Sequence, residues 1–319
     1  MIDLHRPRSR RARCALATAL ACAGLANLTP TPAEPPKGTA APAARRAFTI
    51  EDLYRVQAPS GAQLSPDGAW VVYALDVKDF GRGKSNKDLW RVPAGGGEAR
   101  RLTWTDDASE SAPAWSPDGK TIAFVSARGG GAPQLWLLPA DGGEARVLTE
   151  ISAGVDGPLW SPDGRFIVVT SEVWPECGAD EACNKKLDGM LEKNPLTAYL
   201  ADELLYRHWT GWKRGKVPHV LAVEVATKKV VDLSPGEREA PVFSLGGGDI
   251  DVAPDGKEVA FTRNPDPADQ LARSTNSDVF LASTVAAADG KLPGPQDLTT
   301  DNPAWDGTPR YSPDGKYLA

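Results

Sequence analysis

The sequence predicts an all-β fold, a β-propeller of four-stranded blades in which four blades and the start of a fifth are present. Three observations predict it: a recurring Ser-Pro-Asp-Gly turn, a β-rich run after each copy, and a spacing close to one blade. The turn stands at 65–68, 116–119, 161–164 and 312–315, with an Ala-Pro-Asp-Gly variant at 253–256. The residue before each copy is apolar or aromatic: Leu64, Trp115, Trp160, Val252 and Tyr311. Successive copies from Ser65 to Ser116 and Ser161 are separated by 51 and 45 residues.

The turn chemistry explains the motif. Proline presets φ for the second turn position, aspartate bonds its local backbone, and glycine takes the left-handed conformation that follows. Each copy therefore joins two strands in a hairpin. Two further strands complete the second unit, at 134–138 and 144–148, around a turn at 140–143. The first unit has the same ending, with strands at 88–92 and 98–103. In the third unit the runs at 166–173, 219–226 and 229–233 make one blade, interrupted by about 45 residues between its second and third strands. The fourth runs through 278–285 and 296–299. Composition agrees: 31 glycines and 28 prolines suit many short strands and tight turns better than helix bundles.

A propeller closes only as a full ring, and a partial ring leaves strand edges unpaired. The sequence stops a few residues into a strand at Ala319, so the propeller is expected to be incomplete and the chain a piece of a longer protein. The repeat aspartates Asp67, Asp118, Asp163, Asp255 and Asp314 read as turn formers rather than a metal array, since each holds the same turn position. Trp115 and Trp160, fixed just before the turn, read as packing between blades.

The N-terminus is different material. Arg6, Arg8, Arg10, Arg11 and Arg13 form a basic head before an apolar run from Cys14 to Leu28. That run is shorter than the ~20 residues a membrane span needs, so residues 1–28 read as a cleaved signal peptide. Lipidation at Cys22 is the lesser alternative, because Ala19 stands where a large aliphatic is preferred. Residues 29–47, rich in proline, alanine and threonine, read as a flexible leader. Residues 48–319 are then the partial propeller domain, with an insertion at about 174–218. The expected location is periplasmic or secreted, with no membrane span in the mature chain. The whole chain carries a net charge of −6, and loss of residues 1–28 would leave −10. With no basic cluster in that body, nucleic acid is not expected as a partner.

Beyond the leader only Cys177 and Cys183 remain of four cysteines. In an oxidising compartment they can close a small disulfide loop. A metal site is the rival reading, but the spacing lacks the usual two-residue gap and no second pair exists. No metal and no cofactor are expected.

The segment Phe48 to Val56 (FTIEDLYRV), in which Thr49 can cap a short helix with Asp52 three positions on, leads into QLSPDG at 63–68 and WVVY at 70–73. This approach resembles the start of the prolyl oligopeptidase family of serine peptidases, in its bacterial dipeptidyl-peptidase and acylaminoacyl-peptidase-like branch. The insertion carries the resemblance further, through Cys177 and Cys183, then Leu205 to Trp209 (LYRHW), Trp212, Gly215 and Lys216 leading into HVLAVEV at 219–225. The resemblance covers roughly residues 48–319. It implies a C-terminal α/β-hydrolase domain with a Ser-Asp-His triad, its nucleophile on a Gly-x-Ser-x-Gly elbow. This sequence contains no such elbow, so no catalytic residue is assigned in it and that domain is absent from this chain.

The resemblance also implies that acidic residues on the insertion hold the free amino terminus of a peptide, fixing register for cleavage. The family's adjacent Glu-Glu pair is missing, which leaves Asp202 and Glu203 as candidates, with Arg207 and His208 beside them. A helix from about Pro195 to Trp209 would bring Tyr199, Asp202, Glu203 and Tyr206 onto adjoining faces. The plainer reading is a packed insertion with Arg207 paired to an acid. His219 opens a strand and reads as structural.

Two functions follow. One is the gating, substrate-selecting propeller of an exported serine peptidase, with short peptides and its own hydrolase domain as partners. The other is a non-catalytic TolB-like binding propeller of the cell envelope. Whether the chain belongs to an enzyme therefore turns on sequence outside it.

Overall fold

The computed structural model describes Ile2, Asp3 and residues 46–319, apart from 197, 202, 203, 205, 209, 243–248 and 268. The predicted signal peptide and leader therefore lie almost wholly outside the described residues. Four antiparallel four-stranded sheets follow one another, each with its strands in sequence order. The first blade comprises Ala58–Leu64, Trp70–Asp79, Lys84–Pro93 and Arg100–Arg101. The second comprises Glu110–Trp115, Thr121–Ser126, Gln134–Pro139 and Arg146–Val147. The third comprises Asp156–Trp160, Phe166–Val173, Val217–Glu224 and Val230–Asp232. The fourth comprises Ile250–Val252, Glu258–Arg263, Asp278–Ser283 and Gln296–Asp297. The all-β, incomplete propeller expected from the repeat is what the chain forms.

The motif works as a closed local circuit. In the first copy Ser65 Oγ donates to Asp67 Oδ1 at 2.5 Å and accepts from Trp70 N at 2.9 Å, while Asp67 Oδ1 also accepts from Ala69 N at 3.0 Å. The same contacts recur around Ser116, Ser161 and Ser312. The five glycines have φ between 69 and 71°, a region closed to most side chains. These bonds favour the charged carboxylate: the Ser312 hydroxyl and then the Lys316 N–H hold Asp314 down at about 2. In the variant copy Ala253 offers no hydroxyl, and the Lys257 N–H is the chief group lowering Asp255.

Each strand then divides its side chains between two interblade layers, as a period of two requires. Ile167 and Val169 pack toward the second blade, with Ala114, Ala123 and Leu135. Phe166 and Val168 pack toward the fourth, with Val252, Val259 and Phe261. The tryptophans before the turn do what their position suggested. Trp115 is 7% exposed in the layer between the first two blades, and its indole N–H reaches back to Gln63 O at 3.2 Å. Trp160 repeats the contact one blade on, donating to Ala114 O at 3.1 Å.

The ends of the array differ. Leu64, at the repeat position of those tryptophans, is 58% exposed, because no described blade precedes the first. At the far end Leu318 and Tyr311 pack on the fourth blade through Ala260 and Val279. Residues Ile2–Asp3 pair antiparallel with Tyr317–Leu318. Ahead of the first blade, Ile50–Arg55 is the expected short helix, with Thr49 N donating to Asp52 Oδ2 at 2.9 Å.

Candidate functional site in the axial cleft

The innermost strands border a cleft of about 890 Å³. Three of them carry a β-bulge at the same place, four residues before the turn serine. The register shifts between Ser60 and Gln63, between Ser111 and Ala114, and between Asp156 and Leu159. Gly61, Ala112 and Gly157 take φ of 60, 48 and 61° there. Alanine in that region is strained by roughly 1–2 kcal/mol, and bulges of this kind commonly re-aim a strand beside a binding site. All three bulge residues line the cleft, as does Ile250 of the fourth blade.

Charged groups of the cleft come from the third blade, the base of its insertion and the loop that follows the blade, with Asp249 and Arg310 added from either side of the fourth blade. The insertion leaves the blade after Val173 and returns at Val217, in register across the pair Val173–Val217. Cys177 and Cys183 form the disulfide, with Cα atoms 5.5 Å apart, which decides between the two readings of that pair. Asp180 caps the helix Glu181–Glu192 by accepting from Cys183 N at 3.0 Å. Buried Asn184 ties this helix back to the blade end, accepting from Trp174 N and donating to Gly178 O, both at 2.9 Å. Asp188 then anchors Trp174 Nε1 at 2.9 Å and Lys216 Nζ at 2.5 Å. Lys213 is ion-paired with Glu239. Lys213, Lys216 and Glu239 line the cleft, and Glu172 projects an exposed carboxylate into it with no ion pair among the described residues.

The helix expected from 195 to 209 does not form over its described residues. Arg207–His208 instead pairs with Gly211–Trp212 in a short hairpin. Tyr199 and Tyr206 stack on Trp212, with ring centroids 4.1 and 5.6 Å away. The physical reason is burial. A helix here would have to bury an apolar face, yet Leu196, Leu200 and Leu204 stay 65 to 87% exposed. Asp202 and Glu203 lie outside the described residues, as does the side chain of His208, while Arg207 is exposed and does not border the cleft.

His219 is fully buried, its ring fixed between Asp232 Oδ2 at 2.8 Å and Gly236 O at 2.9 Å, so it serves the blade. The sequence reading missed Glu172. Its signal was present: in FIVVTSEV it is the one charge in a largely apolar run.

The propeller and its insertion can now be set beside known proteins. Residues 45–189 match the TolB beta propeller domain family. Over 277 residues, 85% of this chain and 38% of the relative, the sequence is 31% identical to dipeptidyl-peptidase 5 of Porphyromonas gingivalis. A second dipeptidyl-peptidase 5, from Porphyromonas endodontalis, is 28% identical over the same share of each chain. The chain belongs with the propeller portion of the prolyl oligopeptidase family. Among solved structures, acylaminoacyl peptidase of Pyrococcus horikoshii superposes with a TM-score of 0.53 at 12% identity, over 82% of this chain and 34% of that one. That likeness speaks for the fold alone. The chain spans less than two fifths of the length of these relatives.

Proposed function

We propose that this chain is the gating and substrate-selecting propeller of an exported serine peptidase that cleaves short peptides. The observation that carries the reading is the axial cleft, bordered by bulged innermost strands and by charges of the insertion base, in a propeller of peptidase-family type. The hydrolytic triad is then supplied by residues outside this chain. A narrow cleft with charged walls admits an extended peptide and refuses a folded domain by size. Export is supported by the basic head and apolar run of the first 28 residues, and by a disulfide that suits an oxidising compartment. Among the described residues no helix is long and apolar enough to cross a membrane.

Glu172 is the described carboxylate best placed to meet the ammonium of a peptide in the cleft, and Asp202 and Glu203, with Arg207 and His208, are the insertion's candidates for the same task. A charge-assisted hydrogen bond of this kind is worth about 1.5–3 kcal/mol. In the longer protein, Glu172→Gln is expected to raise KM for free-amine peptides by roughly ten- to a hundredfold and to leave N-acylated peptides unaffected. Glu203→Gln, measured in parallel, assigns the role between them. Unchanged KM in both variants would remove the anchoring idea. The match to the TolB beta propeller domain family supports a second reading, a binding propeller of the envelope without catalysis. Absence of peptidase activity in the longer protein would favour it.

A further inference from the structure

One position of the blade repeat is polar in all four blades, buried in the first, third and fourth and half-buried in the second, and its partner changes. Asp88, Gln134, His219 and Asp278 are equivalent, because the next residue in each blade donates its N–H to a hydroxyl near the outer strand. Leu89 N reaches Thr103 at 2.8 Å, Leu135 N reaches Thr149 at 2.9 Å, Val220 N reaches Ser234 at 2.8 Å and Val279 N reaches Thr299 at 3.1 Å. In the first, third and fourth blades the polar partner stands on the outer strand, two residues before the hydroxyl and diagonal to this position. In the first blade Arg101 Nη2 meets Asp88 Oδ2 at 2.5 Å. In the second the neutral Gln134 bonds Thr149 Oγ1 at 2.8 Å and Ile151 N at 3.0 Å. In the third Asp232 holds His219. In the fourth, Asp278 faces Asp297, two carboxyls within hydrogen-bonding reach.

Asp278 is only 2% exposed, and its Oδ1 has no hydrogen-bond partner. Every other charge facing it from the surrounding elements deepens the problem or points elsewhere. Asp266, on the loop before its strand, and Asp306, on the connector after the outer strand, are both acidic. Asp266 accepts from Ser274 Oγ, and Asp306 accepts from Asn302 Nδ2 at 2.9 Å. Arg263, directly across from Asp278 on the neighbouring strand, donates its Nη2 to Ser234 O and Pro235 O of the third blade, and its buried Nε makes no hydrogen bond, to Asp278 or to any other group. Asp297 Oδ1 already accepts from Thr299 N at 3.0 Å. Two facing carboxyls, Asp278 buried and Asp297 half-buried, with no ion pair to either among the described residues, keep one proton between them.

We propose that Asp278 and Asp297 form an acid-closed clasp, sharing one proton that fastens the outer strand of the fourth blade and releasing it to solvent as the pH rises. Burial first, then Asp297, Asp306 and Asp266, push Asp278 up to about 7. Because this lies above the ordinary carboxyl value, the stabilisation is complete at acid pH and is lost as pH rises through about 7. Asp306 N also donates to Ser277 O at 2.7 Å, so the connector is fastened to the same corner. That connector leads to Arg310, which lines the axial cleft. Opening of the clasp therefore loosens one wall of the cleft.

The test is hydrogen–deuterium exchange of this chain at pH 6 and pH 8, corrected for the intrinsic pH dependence of exchange. The segment 279–299 is expected to lose about tenfold in protection between the two, the linkage expected for one carboxyl titrating at the midpoint. The segment 89–102, closed by Asp88 and Arg101, serves as the internal control and stays level. Asp297→Arg recreates the first blade's pair, and Asp297→Asn supplies a permanent donor should the arginine disturb folding. Either variant is expected to abolish the pH dependence at 279–299. Level protection in the wild type, or the same tenfold loss in a folded variant, would overturn the clasp.

Discussion

Replacing Trp115 with alanine is expected to cost about 3–5 kcal/mol of stability, while Leu64→Ala, at the same position of the preceding repeat, stays within about 0.5 kcal/mol. Trp115 is 7% exposed between the first two blades, packed with Val72, Leu89 and Ile122. Truncation leaves a cavity whose walls belong to two sheets, and rigid sheets collapse little. The lost indole bond to Gln63 O adds about 1 kcal/mol within that range. Among the described residues no sheet stands in front of Leu64, so its removal exposes nothing new. Denaturant midpoints of the two variants check the contrast. Equal losses would mean that blade stacking does not hold the array together.

Arg128→Ala is expected to be the second large effect, about 3–5 kcal/mol at alkaline pH and less at acid pH. Glu110 is the first residue of the second blade's innermost strand and is fully buried. Arg128 closes on its Oε1 through two nitrogens at 2.8 and 2.9 Å, and Thr103 of the first blade donates to Oε2 at 2.9 Å. Burial still dominates and raises the Glu110 carboxyl above its usual range, despite bonds from Thr105, Arg128 and Thr103. Without the guanidinium that value rises further. A raised carboxyl contributes its stability below the ordinary value and loses it as pH rises, so the variant's deficit must grow from acid to alkaline conditions. Thermal unfolding of wild type and variant across that range measures it. A deficit independent of pH would show that Arg128 acts by packing against Phe124 and Trp136 rather than by its charge.

The parts of the fold that sequence reasoning reached are those whose physics is local. The Ser-Pro-Asp-Gly circuit is closed within six residues, so its four copies and one alanine variant announced the hairpins, and Trp115 and Trp160 before two of them announced the packing layers. Cys177 and Cys183 are six positions apart, and their pairing needed little more than a turn. The insertion was harder. Its helix forms over Glu181–Glu192, where Asp180 caps it and Asn184 and Asp188 bind it to Trp174 at the blade's end, and not over the described residues of 195–209. Nothing in the local pattern distinguished the two segments, because the choice was made by partners such as Trp174 and Lys216. Glu172 stood out as the one charge in its strand, but that it borders the cleft depends on how the blades sit around it. The Asp278–Asp297 pair joins residues nineteen apart whose significance appears only when four blades are laid in register.

The central claim is that this propeller selects substrates by admitting them through a narrow, charged axial cleft. It is tested most directly by giving the longer protein a short peptide and an unfolded polypeptide carrying the same cleavable sequence, and comparing kcat/KM per scissile bond. The account predicts steep loss with chain length, with the short peptide cleaved far faster. Equal rates for the two would contradict it.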